Sequence, residues 1–252
     1  MNHTIIEENG FKYVEEGEGE VLMLLHGLFG ALSNFFDIIE SFKQTHKVVI
    51  PILPLYDLPV EETSVGGFVD YVERFVAYKG YDKVTVLGNS LGGHIALIYA
   101  LANPTKIKGV VLTGSSGLFE SAMGDTYPKR GDYEYIKKKA ELTFYDPKFA
   151  SKELVDELFD IVNDRNKVIR VLATAKSAIR QNLTEEVSKI TAPTLLIWGN
   201  NDTITPPFVG EEFHKLIPNS QLLFIDKCGH APMMEQPEAF NRYLGKFLNE
   251  IK

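Results

Sequence analysis

Ser90 lies in Gly88-Asn89-Ser90-Leu91-Gly92, between an apolar run at 83–87 that reads as a strand and an apolar run at 91–102 that reads as a buried helix. A serine in so sharp a turn projects its hydroxyl clear of the backbone, provided the residues two before and two after it are small. Gly88 and Gly92 meet that need, and Gly93 relaxes the turn further. The hydroxyl then sits at a helix N-terminus, where unpaired N–H groups favour developing negative charge. The chemistry open to such a residue is nucleophilic attack on a carbonyl carbon.

A serine hydroxyl is a weak nucleophile without a base. His230, in Cys228-Gly229-His230-Ala231-Pro232 just beyond the last apolar run, is the candidate. His94, one turn into the helix after Ser90, reads as a packed side chain. A histidine base needs an acid to fix its tautomer and to stabilise the imidazolium. Asp202 follows the run at 194–198 through Gly199-Asn200-Asn201, in the kind of loop where open parallel sheets place functional groups. Glu120 is the second-choice acid, and Asp226 stands too close to His230 in sequence. Acyl transfer also needs two backbone donors for the oxyanion. Leu91 supplies one, and Leu28, in His26-Gly27-Leu28-Phe29-Gly30, is favoured for the other, with Phe29 as its alternative. His26 is expected to hold that loop rather than to react.

These residues need a frame to hold them. Apolar runs at 4–7, 11–15, 21–25, 47–52, 83–87, 109–113, 194–198 and 221–225 read as strands. The inner ones are nearly continuous hydrophobic stretches, as expected of parallel strands covered on both faces. The first two meet at Asn9-Gly10, a hairpin signal. Helical spacing at 68–78, 91–102 and 239–251 alternates with strands, which predicts an α/β sheet with helices on both faces. From 117 to 189 the strands stop, and stretches at 132–142, 152–162 and 167–179 read as helices. That is too much for one crossover and predicts a helical cap over the sheet. The expected organisation is a core of residues 1–116 and 190–252 with a cap at 117–189.

Composition narrows the functional classes. The chain has 252 residues and a net charge of −8, with no basic run, which argues against nucleic acid and anionic membranes as partners. A single cysteine, Cys228, excludes an internal disulfide and a thiolate metal cage. The longest apolar run, 95–102, falls well short of the roughly 20 residues of a membrane span. No secretory signal is read at the N-terminus, so a cytoplasmic protein is expected. There is no His-Glu-x-x-His, Walker A or strand-linked Gly-x-Gly-x-x-Gly pattern, so the expected chemistry needs no cofactor or metal. The expected partner is a small-molecule substrate, and monomer and homodimer both stay open.

Together the His-Gly loop, the serine elbow, the helical insertion and the late Asp and His resemble the α/β-hydrolase superfamily over nearly the whole chain. The resemblance implies a mostly parallel eight-stranded sheet with a helical cap. Within the superfamily the chain is similar to the meta-cleavage product C–C hydrolases, whose Gly-Asn-Ser-Met-Gly-Gly matches Gly88 to Gly93. In that group a loop asparagine near Asn34 and a cap arginine resembling Arg165 contact substrate. Ala231 stands where the group usually carries tryptophan. The resemblance therefore implies a serine hydrolase acting on a small to medium carboxylic ester, with dienoate C–C hydrolysis as the alternative. A ligand receptor of the same fold is the reading of another class. Phe29, Asn34, Asn89 and Arg165 are the candidate substrate contacts.

Overall fold

The computed structural model describes residues 3–30, 32–120 and 131–252. Eight strands form one sheet in the order β1-β2-β4-β3-β5-β6-β7-β8. β1 (Ile6–Glu8) and β2 (Phe11–Glu16) form an antiparallel hairpin, and β2 pairs antiparallel with β4 (His46–Pro51). The turn residues Asn9 and Gly10 have φ of 49° and 79°, the left-handed pair that a tight hairpin requires. β3 (Glu20–Leu25), β5 (Val84–Asn89), β6 (Ile107–Thr113), β7 (Thr194–Gly199) and β8 (Ser220–Ile225) complete the sheet and run parallel to their neighbours.

Alternate side chains of the inner strands enter two separate cores, as the two-residue period of a strand dictates. Met23, Leu25, Val86, Leu196 and Trp198 pack on the face covered by α2 (Val65–Lys79), α3 (Leu91–Ala102) and α7 (Pro207–Leu216). Leu22, Leu24, Leu87, Leu195 and Ile197 pack on the face covered by α1 (Phe36–Phe42) and α9 (Pro237–Glu250). This is the doubly covered sheet expected from the continuous apolar runs. α2 begins earlier than the apolar spacing predicts. Ser64 caps it by accepting the Gly67 N–H, and a side chain at Gly67 would place its Cβ 2.0 Å from the Glu62 carbonyl oxygen.

Between β6 and β7 the described residues contain no strand. They form α4 (Tyr133–Glu141), α5 (Lys152–Asn163) and α6 (Arg165–Arg180). Each starts at a side-chain cap: Asp132 accepts from Tyr135 N–H, Ser151 from Leu154 N–H, and Asp164 from Asn166 and Lys167 N–H. Such caps contribute about 1 kcal/mol apiece. The base of the insertion is closed where Leu183 N–H donates to the Gly117 carbonyl and Asn182 Nδ2 to that of Leu118.

Candidate active site

β5 ends at Asn89 and α3 starts at Leu91, so Ser90 is the whole turn between them. Its φ of 56° is left-handed, a conformation that costs a non-glycine residue about 1–3 kcal/mol and persists only when its surroundings impose it. Here they do. Ser90 N–H donates to the Thr113 carbonyl at 3.1 Å, and the Ser90 carbonyl accepts from the N–H of Gly93, His94 and Ser116. A Cβ at Gly88 would lie 2.3 Å from the Gly92 carbonyl oxygen, and one at Gly92 would lie 2.0 Å from that of Leu25. The glycines on either side are therefore a condition of the turn.

The loops after β7 and β8 bring Asp202 and His230 together. His230 Nδ1 lies 2.9 Å from Asp202 Oδ2, and both side chains are buried. The Asp202 carboxylate is fixed from behind: Oδ1 accepts from Ile204 and Thr205 N–H at 2.8 and 2.9 Å, and Oδ2 from the Thr205 hydroxyl at 3.0 Å. Trp198 Nε1 in turn donates to the Thr205 carbonyl, tying this loop to the buried end of β7. Space for the imidazole comes from Gly114, whose φ is 51° and where a Cβ would stand 2.8 Å from His230 Nδ1.

Asn89 links the elbow to the histidine. Its Nδ2 donates to the carbonyls of Thr113 and His230, each at 3.1 Å. Of the two roles open to Asn89 from sequence, a substrate contact or a hydrogen bond at the turn, Nδ2 makes the second.

The loop after β3 abuts the elbow: a Cβ at Gly27 would lie 3.3 Å from Ser90 Cβ. His26 braces it, with Nδ1 2.9 Å from the Gly27 carbonyl and Nε2 accepting from Leu53 N–H at 3.0 Å. Because Nε2 accepts an N–H, the ring proton sits on Nδ1, which donates to the Gly27 carbonyl, and burial lowers the His26 pKa in keeping with a neutral ring. This is the supporting role expected of it. Tyr56, which the sequence reading missed, donates its hydroxyl to the Leu28 carbonyl at 3.1 Å. That bond fixes the plane of the Leu28–Phe29 peptide. On the other side of the elbow, the N–H of Leu91 opens α3, where helical geometry offers it no acceptor.

The remaining candidates lie as follows. Phe29 and Asn34 are half-buried, Asn34 in the short 3-10 helix Leu32–Phe35. Arg165 is exposed at the first position of α6 and makes no hydrogen bond or ion pair among the described residues. Glu120, the second-choice acid, faces His94 rather than His230: its Oε1 is 4.0 Å from His94 Nδ1 and accepts the Gly117 N–H. Burial pushes the Glu120 carboxyl up to about 7 and the His94 imidazole down to about 4. Cys228 is fully buried, and burial, with the negative charges of Glu235 and Asp202, raises its thiol pKa. It is an inert packing residue. His3, Glu16 and Glu40 are the trio among the described residues whose ligand-type atoms lie within reach of one another, and Lys43 already pairs with both carboxylates.

Residues 20–237 match the sequence profile of the alpha/beta hydrolase fold family. The chain belongs to that family and is an enzyme of it. It is 44% identical to an α/β hydrolase enzyme from the metagenome of sediments of the lagoon of Mar Chica, Morocco, covering 98% of both chains with a TM-score of 0.82. It is 31% identical over 181 residues to a 2-hydroxy-6-oxononadienedioate/2-hydroxy-6-oxononatrienedioate hydrolase of Cupriavidus pinatubonensis, a match spanning 66% of this chain and 62% of that protein's length. It is 29% identical over 256 residues to Lipase 1 of Psychrobacter immobilis, across 92% of this chain and 78% of the lipase.

Proposed function

We propose that the chain is a serine hydrolase that cleaves a small to medium carboxylic ester through an acyl-enzyme. The observation that carries this reading is the Asp202–His230 pair, 2.9 Å apart and tied by Asn89 to the strained turn that bears Ser90. Asp202 accepts the Nδ1 proton, which leaves the Nε2 lone pair of His230 to take the proton of Ser90. Ser90 Oγ attacks the carbonyl carbon, and the N–H groups of Leu28 and Leu91 receive the oxyanion. His230 then gives its proton to the leaving alcohol, and a water activated by the same imidazole releases the acid. The 117–189 insertion acts as a cap that encloses the substrate.

Dienoate C–C hydrolysis is the second reading. The same serine, histidine and oxyanion groups serve it, and Arg165, exposed and without a hydrogen bond or ion pair among the described residues, is a candidate cation for a substrate carboxylate. The likeness to the Cupriavidus dienedioate hydrolase supports it, and the likeness to the Psychrobacter lipase supports ester cleavage.

The test is turnover of p-nitrophenyl acetate, butyrate and octanoate by wild type and Ser90→Ala. Multiple turnovers that vanish in the variant are expected. Ester turnover that survives in Ser90→Ala would overturn the mechanism. Arg165→Ala separates the two readings: a large loss on a dienoate with little loss on neutral esters would favour C–C cleavage.

A further inference from the structure

Glu235 is a buried carboxylate outside the Ser90, Asp202 and His230 set, in the short helix α8 (Pro232–Glu235) that follows the histidine. Its two oxygens serve two different parts of the chain. Oε1 accepts the N–H of Gly229 at 2.7 Å, directly before His230. Oε2 accepts the N–H of Tyr145 at 2.7 Å and of Asp146 at 3.3 Å, in the insertion between α4 and α5. Two neighbouring bonds run between the same segments. His230 N–H donates to the Thr143 carbonyl at 2.9 Å, and the Thr203 hydroxyl donates to the Leu142 carbonyl at 2.8 Å. The backbones are in contact there, since a Cβ on Gly229 would stand 2.7 Å from the Thr143 carbonyl oxygen. Residues 142–146 thus grip the neighbour of Asp202 and the histidine itself, and among the described residues Glu235 is the charged side chain that joins them.

We propose that Glu235 is a positioning residue for the general base: it clamps the 142–146 segment of the insertion onto the turn carrying His230, so that the insertion sets the imidazole as well as covering the site. The inference rests on the serine-hydrolase reading above. Burying a carboxylate is unfavourable unless its lone pairs are used. Here both oxygens accept backbone N–H groups, which are charge-assisted bonds and about twice as strong as neutral ones. A role in packing alone would be met by an apolar side chain of similar size. A carboxylate is what satisfies donors approaching from two opposed segments at once. Burial and the nearby Asp202 charge raise its pKa, while the same three N–H groups lower it.

The glutamine variant is isosteric but can accept at only one of the two positions, because its NH₂ must meet an N–H. In the intact chain, Glu235→Gln is expected to lower kcat for a p-nitrophenyl ester about tenfold with KM changed by less than about threefold, the signature of a base moved slightly from its working position. The titration of His230, followed by the NMR signals of its ring, should shift in the variant. Wild-type kcat and an unchanged His230 titration in folded Glu235→Gln would overturn the proposal. So would loss of thermal stability with kcat retained, since that is a packing role. Hydrogen exchange in the wild type provides a check that needs no variant. The amides of Gly229 and Tyr145 should be protected together, and a Tyr145 amide exchanging as fast as an open loop would also overturn the proposal. Ser90-independent turnover would sink the serine-hydrolase reading whatever Glu235→Gln does, so the two failures are distinguishable.

Discussion

His230 Nδ1 and Asp202 Oδ2 stand 2.9 Å apart across 28 residues of chain, and the Asp202 carboxylate meets hydrogen-bond donors on every side described: two backbone N–H groups, a hydroxyl and the imidazole. With a pure acceptor facing it, Nδ1 must carry the proton. Nε2 is thereby left with its lone pair, as the proposed general-base role requires.

Asp202→Asn tests that tautomer. The amide keeps the shape but can present an NH₂ to the imidazole, so the proton moves to Nε2 and the base is lost. A fall in kcat of about 10³-fold or more is expected, with KM nearly unchanged and thermal unfolding still cooperative. A loss of less than tenfold would mean that His230 does not depend on this partner.

Tyr56→Phe tests the oxyanion loop. Only the hydroxyl bond to the Leu28 carbonyl is removed, and the ring stays in place. The Leu28–Phe29 peptide, whose N–H is that of Phe29, the alternative oxyanion donor, then loses its fixed plane, and the adjoining Gly27–Leu28 peptide, which carries the Leu28 N–H, loses that support. We expect kcat to fall about tenfold. The accompanying loss of stability should be about 1 kcal/mol. Steady-state kinetics and denaturant titration on the same preparation give both numbers, and an unchanged kcat would remove Tyr56 from the machinery.

Much of this architecture is written locally in the chain, and some of it is not. The inner strands are legible because residues such as Leu22 to Leu25 and Leu195 to Trp198 must be apolar on both faces. The elbow is legible because steric demand at Gly88 and Gly92 leaves a fixed residue pattern. The pairing of Asp202 with His230 follows from their places after β7 and β8, which the sheet sets side by side. Glu235 and Tyr56 are illegible for one shared reason. Each acts on the backbone of a segment far off in sequence, and a backbone N–H or carbonyl leaves no trace in residue type. For Asn89 the sequence leaves a substrate contact and a hydrogen bond within the turn equally open, because the acceptors of its Nδ2, the carbonyls of Thr113 and His230, are backbone groups. The early start of α2 was hidden by Gly66 and Gly67, poor helix formers, the second of which is required by the close approach of Glu62.

The pair Glu120 and His94 makes a pH prediction with opposed signs. The Glu120 carboxyl is raised from 4.5 to about 7, so between those values the unfolded chain has lost a proton that the folded one keeps, and stability falls as pH rises. The His94 imidazole is lowered from 6.5 to about 4, so across that window the unfolded chain holds the extra proton and stability rises with pH. Between pH 4.5 and 6.5 the two slopes offset each other. Glu120→Gln keeps an acceptor for the Gly117 N–H and removes only the falling slope. The variant should therefore gain on wild type as pH climbs, on the order of 2 kcal/mol in total by neutral pH. Denaturant unfolding at a series of pH values measures the difference directly. A gap between the two proteins that stays constant with pH would mean that Glu120 titrates as an ordinary glutamate.

Strands β6 and β7 are neighbours, paired from Val110 and Thr194 onward. The chain thus departs from the sheet and returns to it at adjoining points, however long the excursion. A segment of different length or shape can be exchanged there without moving a single strand. On the proposed reading of the insertion as a cap, selectivity can in this way be inherited apart from chemistry, as an interchangeable part on a fixed chassis. The exchange has one fitting to respect. Any replacement must bring backbone donors to Glu235 and a carbonyl to the N–H of His230, or the new part would arrive with the old base out of true.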